Sequence, residues 1–239
     1  MDDAQAMNFL SCEKRRVFLL LMFIGGFYGA YTYSVKGGVF CNAQTGNFLL
    51  FSLALGQGRF GEAVYYFLPM ISYLGGTIVS EVMPNPVKRH MALRWDTILI
   101  LIEIVVVLMV SFLPPSWPVQ ISQLAICFIC SMQYNTFRQA RGIPMATTFC
   151  TNHVRQLGIS IVKLAKHPEN RRFRRKLFAH LNMLACFVAG AACAAFFCLF
   201  LKERALLVAL IPLGIVFGFL AYADLYAERD MHFMVPHGH

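Results

Sequence analysis

Charge is scarce in this chain: 14% of its 239 residues are Asp, Glu, Lys or Arg, against 58% apolar. So thin a polar complement cannot clothe a soluble body of this size, and a lipid solvent is the economical alternative. The sequence has no glycine-rich nucleotide loop, no Ser-His-Asp set and no strong metal cluster, so ATP-driven pumping and soluble-type catalysis find no support. No convincing small-residue cleavage site follows the polar opening 1–16, which ends Glu13-Lys14-Arg15-Arg16, and the first apolar run therefore reads as a retained signal anchor. The eight cysteines lie mostly within apolar segments, where the residue acts as a small hydrophobe, and no disulfide framework is implied. Cys127 and Cys130 form a C-x-x-C without a second pair or a His at zinc spacing, which reads as packing.

What the chain does have is apolar length. Val17 to Val35, Gly38 to Gly56, Ala63 to Met83, Thr97 to Leu113, Val119 to Phe137, Ile143 to Val162, Leu177 to Leu201 and Ala205 to Ala223 follow one another. Most can cross a bilayer, which takes about 20 residues. Two blocks, 17–114 and 119–228, run through the same order of segments and breaks, flanked by a segment 1–16 and a tail 229–239. A Gly/Pro break (Gly37-Gly38; Gly142 with Pro144) precedes the second segment of each block. That segment carries Thr45-Gly46-Asn47 in one block and Thr151-Asn152-His153 in the other, 106 positions later.

Basic residues flank spans on the cytoplasmic side, which chooses between topologies. If all eight segments cross, Lys and Arg divide with little bias. If segments 38–56 and 143–162 instead enter and return on one side, Lys88, Arg89, Arg94, Arg138 and Arg141 join Lys14 to Arg16 and Lys163 to Lys176 on the inside. The expected fold is thus all-α: a polytopic membrane bundle of six full spans and two re-entrant or broken helices, arranged as two inverted repeats. The N- and C-termini are expected in the cytoplasm.

Asn47 to Leu55 would span about 13 Å of helix, half the hydrocarbon thickness. Thr45 would cap this half-helix near mid-membrane, with Thr151, or the Thr147-Thr148 pair, doing the same from the opposite side. Helix N-termini meeting there favour an anion or an electron-rich neutral solute. The expected binding set is Thr45, Asn47, Gln133, Asn135, Thr148, Thr151, Asn152 and His153. The bland alternative is that these residues glue helices together. Glu103 interrupts an apolar run and must point inward, pair or be protonated; Arg155 and His153 are its partners by chemistry, for charge balance or proton relay. Arg138 and Arg141 read as cytoplasmic anchors, Lys36 as an opposite vestibule residue or a snorkelling one, and His180 as a packed histidine. The stretch Lys163 to Lys176 supplies much of the net charge of +9, and anionic headgroups explain it better than nucleic acid. His232, His237 and His239 form a weak metal candidate in the tail.

Gly25-Gly26 entering the first span, Gly37-Gly38-Val39-Phe40 leading to Thr45-Gly46-Asn47, Met132-Gln133-Tyr134-Asn135, and Ala146-Thr147-Thr148 leading to Thr151 occur in that order. With these pieces the chain resembles the YoaK family of bacterial inner-membrane proteins over nearly its whole length. Similar members carry an acidic residue shortly after the first Gly-Gly, where this chain reads Phe27-Tyr28-Gly29-Ala30, and Gly after the second Thr, where it has Asn152. The resemblance implies a multi-span inner-membrane protein and no substrate. The expected function is a channel or secondary transporter for a small anionic or polar solute, without catalysis, cofactor or metal. The rivals are a membrane scaffold and an intramembrane enzyme using His153 with Glu103. Anionic lipid is the expected partner, and oligomeric state is left open.

Overall fold

The computed structural model describes residues 9–114, 116–231 and 234–236. Within them the chain is helical apart from loops and one short hairpin. After a 3-10 turn at Ser11–Glu13 come α1 (Arg15–Val35), α2 (Gln44–Gly56), α3 (Phe60–Val82), α4 (Pro84–His90), α5 (Trp95–Ser111) and α6 (Val119–Thr136). The hairpin of β1 (Gln139–Ala140) and β2 (Ile143–Pro144) leads into α7 (Thr151–Lys166) and α8 (Arg171–Leu201). A 3-10 stretch at Lys202–Ala209 and α9 (Leu210–Tyr222) complete the bundle. Among the described residues, three helical stretches are long and apolar enough to cross a membrane: Arg15–Val35, Phe60–Val87 and Arg171–Ala227. Phe48, Phe60, Ile78, Val188, Phe200 and Ile211 face outward, an apolar coat of the kind that marks contact with lipid or with partners.

Local chemistry sets the breaks. Gly37 and Gly38 leave α1 at φ 75° and 73°, a conformation that side chains resist, and the Tyr65 hydroxyl packs where a Gly37 side chain would begin. Arg141 and Gly142, at φ 48° and 72°, make the two-residue turn whose twist suits a hairpin. The apolar segments 38–56 and 143–162 are helical only from Gln44 and Thr151 onward, because the residues before them are tied into loops. The basic stretch 163–176 is also not one loop. Lys163 and Lys166 end α7, and Arg171 to Lys176 form the first turns of α8, which Asn170 caps by accepting from the Arg172 N–H at 3.0 Å. The tail histidines His232, His237 and His239 lie outside the described residues.

Helix α1 is the axis, with Leu21, Met22, Ile24, Phe27, Tyr28 and Tyr31 fully buried. It packs along α8, and α3 packs along α6. Both pairs are parallel. Arg15 donates to Phe178 O where α1 and α8 begin, and Tyr31 to Glu203 O where they finish. Ser72 midway along α3 donates to Leu124 O early in α6, and Asn135 to Ser80 late in both. The two pairs run in opposite directions. At the far end, where α1 finishes, Tyr65 of α3 donates to Gly37 O (3.1 Å) and Gln123 of α6 to Lys36 O (2.5 Å). At the near end, where α1 starts, Phe18 packs edge-on against Phe137, and the Arg141 N–H donates to Glu13 O.

Glycine permits the crossings. A Cβ on Gly26 would strike the Phe187 backbone, one on Gly190 the Phe23 backbone, and one on Gly76 the Phe128 backbone and the Ser131 hydroxyl. A buried ionic knot holds the near end. Arg94 lies 3.5 Å from Asp96 and 3.8 Å from Glu228, and its N–H donates to Asp224. Ser11 and Thr97 donate to Glu228 and Asp224, at 2.6 and 2.7 Å.

Candidate functional site

The loops that lead into α2 and α7 meet on one residue of α1. Asn42 donates to Gly25 O at 2.9 Å, and a Cβ on Gly25 would lie 2.5 Å from Thr147 O. Gly25 is the middle residue of Arg15–Val35. From that level α2 runs to the far end, where α3 begins, and α7 runs to the near end, where α8 begins. Both short helices therefore turn their N-termini toward the centre of the bundle, the end that carries partial positive charge.

One device fixes both loops. Asn47, fully buried, accepts from the Phe40 N–H (3.1 Å), donates to Phe40 O (2.7 Å) and donates to Gln44 Oε1 (3.0 Å). His153, also fully buried, bonds through Nε2 to Ala146 O at 2.7 Å. Each side chain reaches back seven residues, and the two stand at matching places in their polar triplets. Asn47→Ala would leave the Phe40 N–H and C=O unbonded and is expected to lower stability by about 2 kcal/mol. Thermal unfolding in detergent checks this, and an unchanged midpoint would remove the tie.

His153 has a second partner that the sequence did not suggest. Its Nδ1 lies 3.0 Å from Nδ1 of His180 on α8. Since Ala146 O must accept, Nε2 of His153 carries a proton and Nδ1 of the neutral ring accepts from His180 Nδ1–H. A further proton on the pair would be shared across that contact.

Polar groups gather around the middle of α1. Glu103 of α5, with no exposure, accepts from the Tyr28 hydroxyl at 3.3 Å, and its other oxygen has no hydrogen-bond partner. Gln133 of α6 donates to Leu21 O at 3.3 Å and leaves its own oxygen unpaired. The buried Thr147 hydroxyl is likewise unpaired, and the Tyr73 side chain approaches Thr148. Leu21, Gly25 and Tyr28 share one face of α1, and the unpaired atoms belong to groups that meet this face. Buried polar groups without partners are rare and need a reason.

Other expected site residues are placed elsewhere. Thr45 and Thr151 are exposed, and neither caps its helix. α2 starts one residue before Thr45, behind Ala43, and α7 starts at Thr151 behind Cys150, without a side-chain cap at either. Arg155 is exposed and bonds to Asn152, while Glu103 is held by Tyr28 and His153 by His180, so the expected Glu103 partnership with Arg155 or His153 is replaced by one with Tyr28. Asn135 and Asn152 share a near-end cavity of about 460 Å³ with Arg138, Tyr134 and Phe149. A second near-end cavity, about 230 Å³, is walled by Glu13, Glu81, Arg94, Asp96 and Arg138. Cys12 lines it, but burial and then the charge of Asp96 push its thiol well up, which makes it a poor nucleophile. Among the described residues, no group of three or more His, Cys, Asp or Glu side chains is arranged to hold a metal ion.

These features define a class, an apolar helical bundle with a polar zone closed inside it. Residues 17–219 match the family described as Protein of unknown function (DUF1275), and the chain belongs to that family, consistent with its YoaK-like motifs. No curated protein and no solved structure matches it.

Proposed function

We propose that the protein is an integral membrane channel or secondary transporter for a small anionic or polar solute, built from six spans and two re-entrant helices in two inverted repeats. The observation that carries this is the meeting of the α2 and α7 loops at Gly25, which turns two positive helix ends toward the middle of the axial helix. The packing supports the repeat: exchanging the blocks turns the α1 and α8 pair into the α6 and α3 pair, and each has the same glycine-to-backbone crossing. Charge supports the sidedness. Arg15, Arg16, Arg94, Arg138 and the basic start of α8 share the near end, which the positive-inside rule makes cytoplasmic in a cell inner membrane. Anionic headgroups would gather about Lys163 to Lys176 there. Thr148, Gln133 and the unpaired Glu103 oxygen line the central zone, and Glu103 balances solute charge or relays a proton. Asn135, Asn152 and the exposed Thr45 and Thr151 line the approaches, and the buried Asn47 and His153 hold the loops in shape. The tight glycine crossings would equally serve a membrane scaffold.

Liposome swelling against a panel of small anions and neutral solutes separates the two. At least one anion should enter faster than in protein-free liposomes. Thr45→Val with Thr151→Val should slow it roughly tenfold at unchanged folded yield, and Glu103→Gln should remove its pH dependence. A panel in which no solute exceeds the protein-free rate would leave the scaffold.

A further inference from the structure

Two ion pairs occupy equivalent positions at opposite ends of the bundle. At the far end Lys36, which closes α1, lies 3.2 Å from Glu203, just past the end of α8. At the near end Arg138, just past the end of α6, lies 2.6 Å from Glu81 in the last turn of α3. Each pair fastens the finishing ends of one parallel helix pair. Each also stands at the root of one central loop: Lys36 starts the chain that runs through Cys41 and Asn42 to α2, and Arg138 the chain that runs through Thr147 and Thr148 to α7.

The pairs have the same polarity. The cation is the inner partner, with side chains 4% exposed for Lys36 and 32% for Arg138, and the acid is the outer one, 42% for Glu203 and 65% for Glu81. Water therefore reaches the acid first, and the acid can swing away without unwinding a helix. Released in this way, Lys36 is left buried and Arg138 keeps the neutral Asn135 O (2.7 Å) and Oδ1 (3.1 Å), so each cation needs a new anion. Arg138 is placed for this, because it lines both near-end cavities and stands where they adjoin. At the far end the Lys36 and Gly37 carbonyls accept from side chains, Gln123 and Tyr65, while the Lys36 N–H keeps its helical bond to Thr32 O.

We propose that Lys36–Glu203 and Arg138–Glu81 are the two gate latches of the path, and that in each the cation passes from its acid to an anionic group on the solute as that mouth opens. This rests on the transport assignment above and narrows it to solutes that carry an anionic group.

Two native thiols report on the mouths. Cys41 is fully buried in the central loop rooted at Lys36, and Cys150 is half-buried just before α7. In protein held in lipid nanodiscs, a charged maleimide is followed by mass spectrometry at both cysteines. Glu203→Gln should raise modification of Cys41 roughly tenfold and leave Cys150 as it was. Glu81→Gln should raise Cys150 severalfold and leave Cys41 protected, and Glu203→Asp and Glu81→Asp should restore the parent pattern. Either variant exposing both thiols alike, or neither variant exposing its own, would overturn the latches. Flux is read separately in liposomes. Flux without the thiol pattern removes the latches alone, whereas the thiol pattern in a protein that moves no solute keeps paired mouths and removes the handover to a solute.

Discussion

Arg94→Leu is expected to lose about 3–5 kcal/mol of stability, the cost of stranding buried charges by removing their partner. Arg94 is 6% exposed; its guanidinium is the cation beside Asp96 and Glu228, while its backbone N–H, which the substitution keeps, donates to Asp224. Ser11 and Thr97 spread the carboxylate charge by hydrogen bonding but cannot cancel it. Because Glu228 binds Ser11 and Asp96 lies in the first turn of α5, the variant should also loosen the N-terminal turn and the start of α5 together. In detergent the melting midpoint should fall roughly 10 °C. Arg94→Lys should fall less, keeping the charge and losing the planar fork. A leucine variant that melts with the parent would show that the knot holds nothing.

The second large effect belongs to the crossing of α1 and α8. Gly26→Val and Gly190→Val each drive a side chain into main chain, at Phe187 and Phe23, where no rotamer change can make room. Separating the two helices is the only relief, at a cost of about 3 kcal/mol or more per variant. Little folded protein should survive extraction, as read by the monodisperse fraction on size exclusion. Gly218→Ala in α9 is the control. Nothing lies within 4 Å of a Cβ there, so it should be neutral or gain up to about 1 kcal/mol. Equal yields for the three variants would mean that the approach at Gly26 and Gly190 is not tight.

How far the sequence reaches follows from the range of the interaction concerned. Long apolar runs and the Gly37-Gly38 and Gly142 breaks act locally, so the helical class, the long apolar helices and the interruption of segments 38–56 and 143–162 could be read directly. The start of α8 depends on an equally local signal, the Asn170 cap before a run of good helix formers, and the excess of positive charge hid it. Partnerships across the bundle were beyond reach. Glu103 invites a cation by chemistry, yet it faces Tyr28, and His180 has no mark that assigns it to His153. Helix rotation decides such pairs, and a hydrophobic run on every face of α5 says nothing about rotation. Asn47 and His153 look like ligands because they are polar, conspicuous and buried. Their hydrogen bonds to Phe40 and Ala146 show the same polarity serving to hold a backbone turn.

The parallel pairing of α1 with α8 also bears on biogenesis. Helix α1 leaves the ribosome well before its main partner α8, so its glycine groove must wait, uncovered, while the intervening chain is inserted. α3 waits in the same way for α6, though for less time. Neither half of the polypeptide contains the surface that completes it, and a chain severed between Pro114 and Pro118 should yield two fragments that are each degraded alone and persist only when made together.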